Sequence, residues 1–243
     1  MSDVTSRLVE RQVHRWSRLD AVLDKRPSPT SQAKTCHRPV ITISRKIGSG
    51  ARIVAKALGE RLGMDIFGVS IIDEIARSAS LQRRIVDTLD EGIRSDIEQY
   101  IDGLLSGRLL HQQEYAIRLA RCVTAIAQHG RAIFLGRGAG HILGERADLR
   151  VRFFANVETR VKNLMQYENL DEAAARQKIE ETDADRARFI KRHFHANVDD
   201  PMNYDVCVNT SRIQPEDAVE IVLAAFKARI SPECWESLTR SKI

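Results

Sequence analysis

The sequence predicts an α/β protein in which helices cover both faces of a parallel sheet. Short β-branched or apolar runs at 40–44, 131–135, 149–154 and 206–210 alternate with segments of helical periodicity. Strands that alternate with helices favour parallel pairing, because each crossover helix returns the chain to the same edge of the sheet. The chain has 243 residues, of which 43% are hydrophobic and 29% charged. That length and composition are typical of one large domain with a small appended segment, or at most of two compact domains.

The individual elements follow from local composition. Val40-Ile41-Thr42-Ile43-Ser44 is a β-branched run that ends at a glycine-containing turn, which favours a strand. Ile97, Ile101 and Leu104 recur on one helical stripe, and His129-Gly130 has the form of a glycine cap that ends a helix. In chain order the expected elements are strand 40–44, helix 53–62, a short extended piece at 64–67, helices at about 69–78 and 81–94, one or two helices within 96–129, strands 131–135 and 149–154, helix 158–167, one long helix or a pair at 171–193, strand 206–210 and helix 215–228.

Residues 1–38 are predicted to form an N-terminal extension to the main domain, which occupies 39–230 and is followed by a C-terminal tail at 231–243. Apolar residues within 9–23 recur at helical spacing and predict an amphipathic helix. The segment 26–32 contains two prolines and is expected to end that helix as a linker. The helix either covers apolar surface of its own domain or docks a partner or a second copy of the chain. The sequence leaves these roles, and the oligomeric state, open.

Charge and hydropathy limit the class of protein. The net charge of +5 is concentrated in residues 1–38, which contain eight basic and four acidic residues. A solvated helix face accounts for this charge, so no specific nucleic-acid partner is expected. No apolar run approaches the roughly 20 residues that a membrane helix needs, and no signal-peptide pattern is found at the N-terminus, so a cytoplasmic protein without membrane attachment is expected. The four cysteines lack the spacing of a zinc site.

The glycine-containing turn after the first strand predicts an anion site. A strand that ends in Gly48-x-Gly50 and opens a helix presents backbone N–H groups and a positive helix dipole to an anion, and phosphate is the natural guest. Glycines at such a turn also occur simply to let the chain reverse. The two interpretations are equally supported by the turn alone. The third glycine of a dinucleotide fingerprint would fall on Ile53, which argues against a dinucleotide site.

The turn does not match the lysine-containing phosphate loop either. If Gly50 is the second glycine of Gly-x-x-x-x-Gly-Lys-Ser/Thr, the lysine position is Ala51, the hydroxyl position is Arg52 and the first glycine position is Arg45. Cations remain close in sequence, because Arg45 and Lys46 precede the glycines and Arg52 opens the helix. A guanidinium group offers phosphate oxygens a planar fork where an ammonium group is a point charge. Arginine is therefore a candidate to replace the missing lysine.

Three sets of residues carry a resemblance to a known family. They are Ile41-Thr42-Ile43-Ser44-Arg45 with Gly48-Ser49-Gly50, then Ala127-x-His129-Gly130-Arg131-Ala132-Ile133-Phe134-Leu135-Gly136-Arg137-Gly138-Ala139, and Asp183-x-x-Arg186-x-Arg188 with Tyr204-Asp205-x-x-x-Asn209-Thr210-Ser211. In these residues, over about 39–230, the chain resembles the cytidylate kinase-like family. The resemblance implies a P-loop NTPase-type three-layer sandwich with a central parallel sheet, a helical lid at about 171–200 and the N-terminal helical extension. It also implies ATP and Mg²⁺ as cofactors and a cytidine nucleotide as acceptor.

The resemblance also implies roles for individual residues. Arg137 would grip the acceptor phosphate, and the flanking Gly136 and Gly138 would leave space for that ligand. On the lid helix, the arginines 186, 188 and 192 would stabilise charge on the transferring phosphoryl group. A helix of such mixed charge is also typical of a solvated face with i,i+4 ion pairs. The loop around the donor phosphates would comprise Arg45, Gly48, Ser49, Gly50, Ala51 and Arg52, and the lid arginines are Arg186, Arg188 and Arg192.

Two departures from the family pattern affect the expected site, the first at the acceptor-side contact and the second at the metal ligands, which stay unknown. Gly68 stands where the related family usually carries Asp, and Leu135 stands where cytidylate kinases carry an acidic residue before the Gly-Arg pair. Asp73, Asp183 and Asp185 are candidates for a magnesium site only by their proximity in sequence to the motifs, and a structural role is the simpler expectation for each.

The sequence supports three functional hypotheses. The first is transfer of the ATP γ-phosphate to a nucleoside monophosphate, with CMP or dCMP as the expected acceptor. The second is a nucleotide-binding regulatory module that has lost catalysis, because Ala51 occupies the lysine position and acidic residues are missing. The third is a kinase for a different small acceptor, since one fold serves many transferases.

Overall fold

The computed structural model describes residues 39–111 and 113–240, together with Arg7. Within them, five parallel strands form one sheet: β1 (Val40–Arg45), β2 (Asp65–Gly68), β3 (Ala132–Leu135), β4 (Leu149–Phe154) and β5 (Val206–Asn209). The strand order is β2-β3-β1-β4-β5, so β1 lies at the centre between β3 and β4. In register, Ile43 pairs with Leu135 on one side and with Val151 on the other. The predicted parallel sheet is confirmed.

The helices connect the strands and lie on both faces of the sheet. Those of the described residues are α1 (Ala51–Leu62), α2 (Val69–Arg77), α3 (Ala79–Val86), α4 (Glu91–Ser106), α5 (Glu114–His129), α6 (Ala139–Leu143), α7 (Val157–Glu168), α8 (Glu172–Phe194), α9 (Pro215–Arg229) and α10 (Pro232–Arg240). Single 3₁₀ turns lie at Gly144–Arg146 and Pro201–Asn203.

Alternation along the buried strands divides the core between two faces. Ala132 and Phe134 of β3 pack against α2 to α6 and the end of α8, whereas Ile133 and Leu135 pack against α1, α9 and α10. Successive side chains of a strand point to opposite faces, so a strand that is apolar throughout must be covered twice. Phe134 is fully buried, and burial of such a ring contributes about 1.5–3 kcal/mol. The result is the three-layer sandwich that the sequence predicts.

A third, smaller core joins α7 to α8. It consists of Val161, Leu164, Ala175 and Ile179, which pack together apart from the two main clusters. Side-chain caps start both helices: Asn156 Oδ1 accepts from the N–H of Thr159, and Asp171 Oδ1 accepts from the N–H of Ala174. The segment predicted as one long helix or a pair is a single helix of 23 residues.

The structure differs from the sequence prediction in three places. The helix expected at 81–94 is interrupted at 87–90, where the Thr88 hydroxyl donates to the Ile85 carbonyl at 2.6 Å and Asp90 is extended. The segment expected as a tail from residue 231 contains α10, which buries Cys234 and Leu238 in the core beside α1. The short helix α6 was not expected. The predicted helix and linker at 1–38 lie outside the described residues, apart from Arg7.

Candidate functional site

The ends of the three central strands bring two glycine turns together. The N–H of Gly136, which follows β3, donates to the Ile43 carbonyl of β1 at 3.0 Å. On the other side of β1, the N–H of Lys46 donates to the Phe153 carbonyl of β4 at 2.9 Å. The loop before α1 and the turn after β3 therefore lie side by side at the carboxyl edge of the sheet. In α/β proteins this edge is where ligands bind.

The loop before α1, which we call the phosphate loop (residues 46–50), requires its two glycines. Gly48 and Gly50 both have φ of 75°, a left-handed conformation that glycine adopts without steric cost. A Cβ on Gly48 would lie 2.8 Å from the Arg160 carbonyl oxygen, so a larger residue would displace the main chain there. Gly50 is the N-cap of α1, and Ala51, which is buried, is the first residue of the helix.

Side chains from three other elements hold the carbonyl and N–H groups of the phosphate loop. Asn163 Nδ2 donates to the Gly48 carbonyl at 2.8 Å, and the Thr210 hydroxyl donates to the Ser49 carbonyl at 2.9 Å. Asp183 Oδ1 accepts from the N–H of Ile47 at 3.1 Å. Among the described residues, the N–H groups of residues 49–52 have no acceptor. The loop thus fixes its carbonyls against the protein and leaves the first N–H groups of α1 for an anion.

One cavity of about 890 Å³ adjoins these elements. Its walls come from the end of β1, the turn after β3, α6, the second half of α8 and the segment before β5. We call it the cationic cavity, because seven basic side chains and a single carboxylate, Asp185, line it among the described residues. The basic residues are Arg45, Arg52, Arg137, Arg186, Arg188, Lys191 and Arg192.

The guanidinium groups in this cavity repel one another. Burial, followed by the charges of Arg186, Arg52 and Arg137, lowers the pKa of Arg45 far below its usual value. Burial and neighbouring arginines also lower the pKa of Arg186, although Asp183 acts in the opposite direction. Arg186 is held in place by its own hydrogen bond to the Arg45 carbonyl at 3.1 Å. Cations concentrated in this way destabilise the empty site and are neutralised by a bound anion.

Arg137 differs from the other arginines because it has a carboxylate partner. Its Nε and Nη2 donate to the two oxygens of Asp73, each at 2.5 Å. Burial alone would lower the pKa of Arg137, but the hydrogen bonds and charge of Asp73 raise it overall. The guanidinium carbon lies 5.1 Å from the centre of the Phe189 ring on α8. Arg137 is therefore a fully charged group fixed by two helices.

The glycines beside Arg137 make room for protein atoms, and both glycines also line the cavity. Gly136, Arg137 and Gly138 all have positive φ, of 93°, 53° and 68°. A Cβ on Gly136 would lie 2.1 Å from Arg45 Nη1, and one on Gly138 would lie 2.2 Å from Phe194 Cε2. The first glycine thus lets Arg45 pass into the cavity, and the second lets α8 pack onto the turn.

The remaining candidate residues have different surroundings. Ser49 is buried, and its hydroxyl donates to the Lys46 carbonyl at 2.8 Å, so its side chain stabilises the loop itself. Arg52 lines the cavity from the first turn of α1. Arg188 forms an ion pair with Asp185 on the same helix, as expected for a solvated face, yet both also line the cavity. Arg192 lines it from the last turn of α8.

Sequence reasoning missed a buried polar cluster next to the cavity. Arg152 of β4 is 5% exposed, and it donates to the Ser44 hydroxyl at 2.7 Å and to Asp199 at 2.5 Å. Its guanidinium lies 5.5 Å from the ring centre of Tyr204, whose hydroxyl donates to the Val198 carbonyl at 2.8 Å. An arginine inside an apolar strand is a signal that could have indicated this cluster, since a buried cation requires partners.

The described residues do not fit a protein-held magnesium centre. None of their histidine, cysteine and acidic side chains forms a group of three that could hold a metal ion. The three candidates are engaged by guanidinium groups: Asp73 by Arg137, Asp183 by Arg160, and Asp185 by Arg188. Mg²⁺ at phosphoryl-transfer sites is held by one or two carboxylates together with substrate phosphates. The fixed positive charge of the cavity comes from its six arginines and Lys191.

The strand order and the position of the loop define the class of protein. With β1 at the centre of the sheet and a glycine loop between β1 and α1, the domain is an α/β protein of the P-loop NTPase type. A solved structure of an uncharacterized protein from Eubacterium ventriosum has the same fold, with a TM-score of 0.63 at 20% identity over 79% of this chain and 99% of its own. Among the described residues, no helix combines the length and apolar character needed to span a bilayer.

Sequence comparison identifies the family. A family model described as the cytidylate kinase-like family matches residues 40–212. Cytidylate kinase from Methanothrix thermoacetophila is 30% identical over 198 residues, which cover 78% of this chain and 98% of that protein. Cytidylate kinase from Methanocaldococcus jannaschii is 25% identical over 191 residues, which cover 77% and 97%. The chain belongs to the cytidylate kinase-like family, as its motifs predicted.

Proposed function

We propose that this protein is a nucleotide kinase that transfers the γ-phosphate of ATP to a nucleoside monophosphate, with CMP or dCMP as the acceptor. The observation that carries the proposal is the cationic cavity, which is lined by seven basic side chains and one carboxylate. Fixed cations in excess of the acidic groups beside them favour a polyanionic guest, and two phosphorylated substrates supply more negative charge than one. The relatives named cytidylate kinase support a cytidine nucleotide as the acceptor.

The two substrates bind on opposite sides of the cavity, ATP beside α1 and the acceptor beside the turn after β3. The N–H groups at the start of α1, with Arg45 and Arg52, hold the phosphates of ATP. Arg137, on the adjacent turn, holds the phosphate of the acceptor. The lid arginines of α8, Arg186, Arg188 and Arg192, stabilise the charge that spreads over the phosphoryl group during transfer.

The chemistry needs little beyond position and charge. An oxygen of the acceptor phosphate is the nucleophile, and it is largely deprotonated at neutral pH because the second pKa of a phosphate monoester is about 6. No general base is therefore required. The protein aligns the two phosphates in line, neutralises their repulsion and excludes water beneath α8. Mg²⁺ supplied with the nucleotide would screen the phosphate charge, and the described residues contain no group of three side chains that could hold it.

A coupled kinase assay with ATP, magnesium and each monophosphate tests the proposal. We expect turnover with CMP or dCMP and a loss of about 10²–10³ in kcat/KM for Arg137→Ala, the range for removing one transition-state contact. Arg176→Ala is a matched control, because Arg176 lies on α8 but pairs with Glu172 on the helix exterior. Absence of turnover with every monophosphate, from a folded protein that binds ATP, would refute the proposal.

One specific observation favours a second candidate, a nucleotide-binding module without transfer. Ala51 and Arg52 occupy the positions of the lysine and hydroxyl in the usual phosphate loop. Calorimetry separates the two candidates, since the module binds ATP without consuming it. A kinase for a different small acceptor, the third hypothesis, would consume ATP in the presence of that acceptor and not of monophosphates.

A further inference from the structure

The guanidinium group of Arg137 is held along one edge only. Its Nε and Nη2 donate to Asp73 on α2, which leaves both hydrogens of Nη1 and one of Nη2. Among the described residues, none accepts a hydrogen bond from Nη1. Arg137 lines the cationic cavity and Asp73 does not. The edge formed by Nη1 and Nη2, which can bind two oxygens of a phosphate, is therefore the edge available to a ligand in the cavity.

Asp73 is itself fixed by a second partner. The Tyr115 hydroxyl on α5 donates to Asp73 Oδ1 at 2.7 Å. Burial, together with the hydrogen bond to Asp73, raises the pKa of Tyr115, so the phenol keeps the proton that it donates. The side chains of Asp73 and Arg137 are 14% and 27% exposed. The Asp73 carboxylate thus has a defined orientation, and it transmits that orientation to Arg137.

We infer that Asp73 and Tyr115 are positioning residues that set Arg137 to receive the acceptor's phosphate. Arg137 lies on a turn with three consecutive positive φ angles, and an arginine side chain has considerable rotational freedom unless it is held. A fork that is already oriented loses less entropy when it binds a phosphate. The identity of the acceptor rests on the proposed function, whereas the orientation of Arg137 towards an anion does not.

A double-mutant cycle tests the inference. Inorganic phosphate and CMP are titrated calorimetrically into the full chain as wild type, Asp73→Asn, Arg137→Ala and the double variant. We expect Asp73→Asn to weaken CMP binding about tenfold, the equivalent of one charge-assisted hydrogen bond, and to have no further effect when Arg137 is absent. Glu98→Gln is the matched control, because Glu98 accepts hydrogen bonds from Nε and Nη2 of Arg121 away from the cavity.

The outcomes separate positioning from the alternatives. An equal loss of CMP affinity in the presence and absence of Arg137 would show that Asp73 affects binding through the stability of the fold and not through Arg137. That result would overturn the inference. Tighter binding by Asp73→Asn would show that the carboxylate competes with the anion, and would also overturn it. If Asp73→Asn unfolds, Tyr115→Phe tests the same contact through a smaller loss that again requires Arg137. Phosphate binding that depends on Asp73, without turnover of any monophosphate, would refute the proposed function and leave this inference intact.

Discussion

The two glycines beside Arg137 allow the anion site and the hydrophobic core to be perturbed separately. Both have positive φ, so alanine is strained at either position by about 1–2 kcal/mol. The neighbours of the new methyl group differ. At Gly136 the nearest atom is Arg45 Nη1, the end of a flexible side chain, whereas at Gly138 it is the ring of the buried Phe194.

This difference sets the expected magnitudes. Gly136→Ala lowers the free energy of unfolding mainly through the strain, about 1–2 kcal/mol, because the end of Arg45 can shift and Val69 Cγ2 lies 3.3 Å from the added Cβ. Displacement of Arg45 removes a phosphate contact and weakens ATP binding about tenfold or more. Gly138→Ala adds overpacking to the strain, for a loss of about 2–5 kcal/mol. Its ATP affinity, measured well below the melting temperature, stays near that of the wild type.

Urea unfolding and ATP titration of the same preparations measure both quantities. Gly103→Ala is the control, because Gly103 lies inside α4 with no atom within 4 Å of the added Cβ. Alanine there is expected to stabilise the protein by about 0.5–1 kcal/mol. Unchanged ATP affinity in Gly136→Ala would show that Arg45 does not contact the phosphates of ATP. A Gly138→Ala variant no less stable than Gly136→Ala would contradict the close approach of Phe194.

Three further predictions concern single side chains. Arg45→Met relieves repulsion in the empty cavity and is expected to raise the free energy of unfolding by about 1–2 kcal/mol. It should also weaken ATP binding, measured by titration calorimetry, and a variant less stable than the wild type would contradict the prediction. Burial, with Arg150 and Arg152, lowers the pKa of His141 to about 4, so the unfolded chain takes up a proton at this residue before the folded protein does. Between pH 6.5 and 4 the wild type should therefore lose up to about 3 kcal/mol more free energy of unfolding than His141→Asn. An equal loss in both proteins, measured by urea unfolding across that window, would refute this prediction. Asp183→Asn leaves the buried Arg160 without its carboxylate and should cost about 3–5 kcal/mol, measured by thermal unfolding; a change below about 1 kcal/mol would show that Arg160 finds another partner.

The strands were predictable because their signal is local. Runs such as Ile133-Phe134-Leu135 are apolar throughout and short, and a glycine follows directly, which together favour a strand covered on both sides. The break at 87–90 was not predictable, since Leu89 continues the apolar spacing and the break depends on a hydrogen bond from Thr88 to the preceding turn. The helix α10 was missed because its apolar residues, Cys234, Trp235 and Leu238, are few and their burial depends on tertiary packing.

The residue types of the candidate site could be predicted from the sequence, but the partners of these residues could not. Glycines in a strand-loop-helix pattern indicate an anion site locally, and an arginine after a buried strand indicates a ligand at the carboxyl edge. Arg137 and Asp73, by contrast, are separated by 64 positions, and Arg152 and Asp199 by 47. Such pairs follow from tertiary packing. For the same reason, Asp73 could be considered as a metal ligand from sequence and is found as the partner of an arginine.

The small core between α7 and α8 holds these two helices together as a hairpin, which limits how a lid at α8 would close. This hairpin is joined to the phosphate loop by Asp183, which accepts from the N–H of Ile47, and to the last residue of β1 by Arg186, which donates to the Arg45 carbonyl. Ile47 also packs against the hairpin core. Rotation of α8 alone would break these contacts, whereas rotation of the hairpin together with residues 46–48 would preserve the two that Ile47 makes. Because α8 also carries the lid arginines, we expect closure to move the donor side of the loop and those arginines as one unit, so that ATP phosphates remain bound while α8 approaches the acceptor.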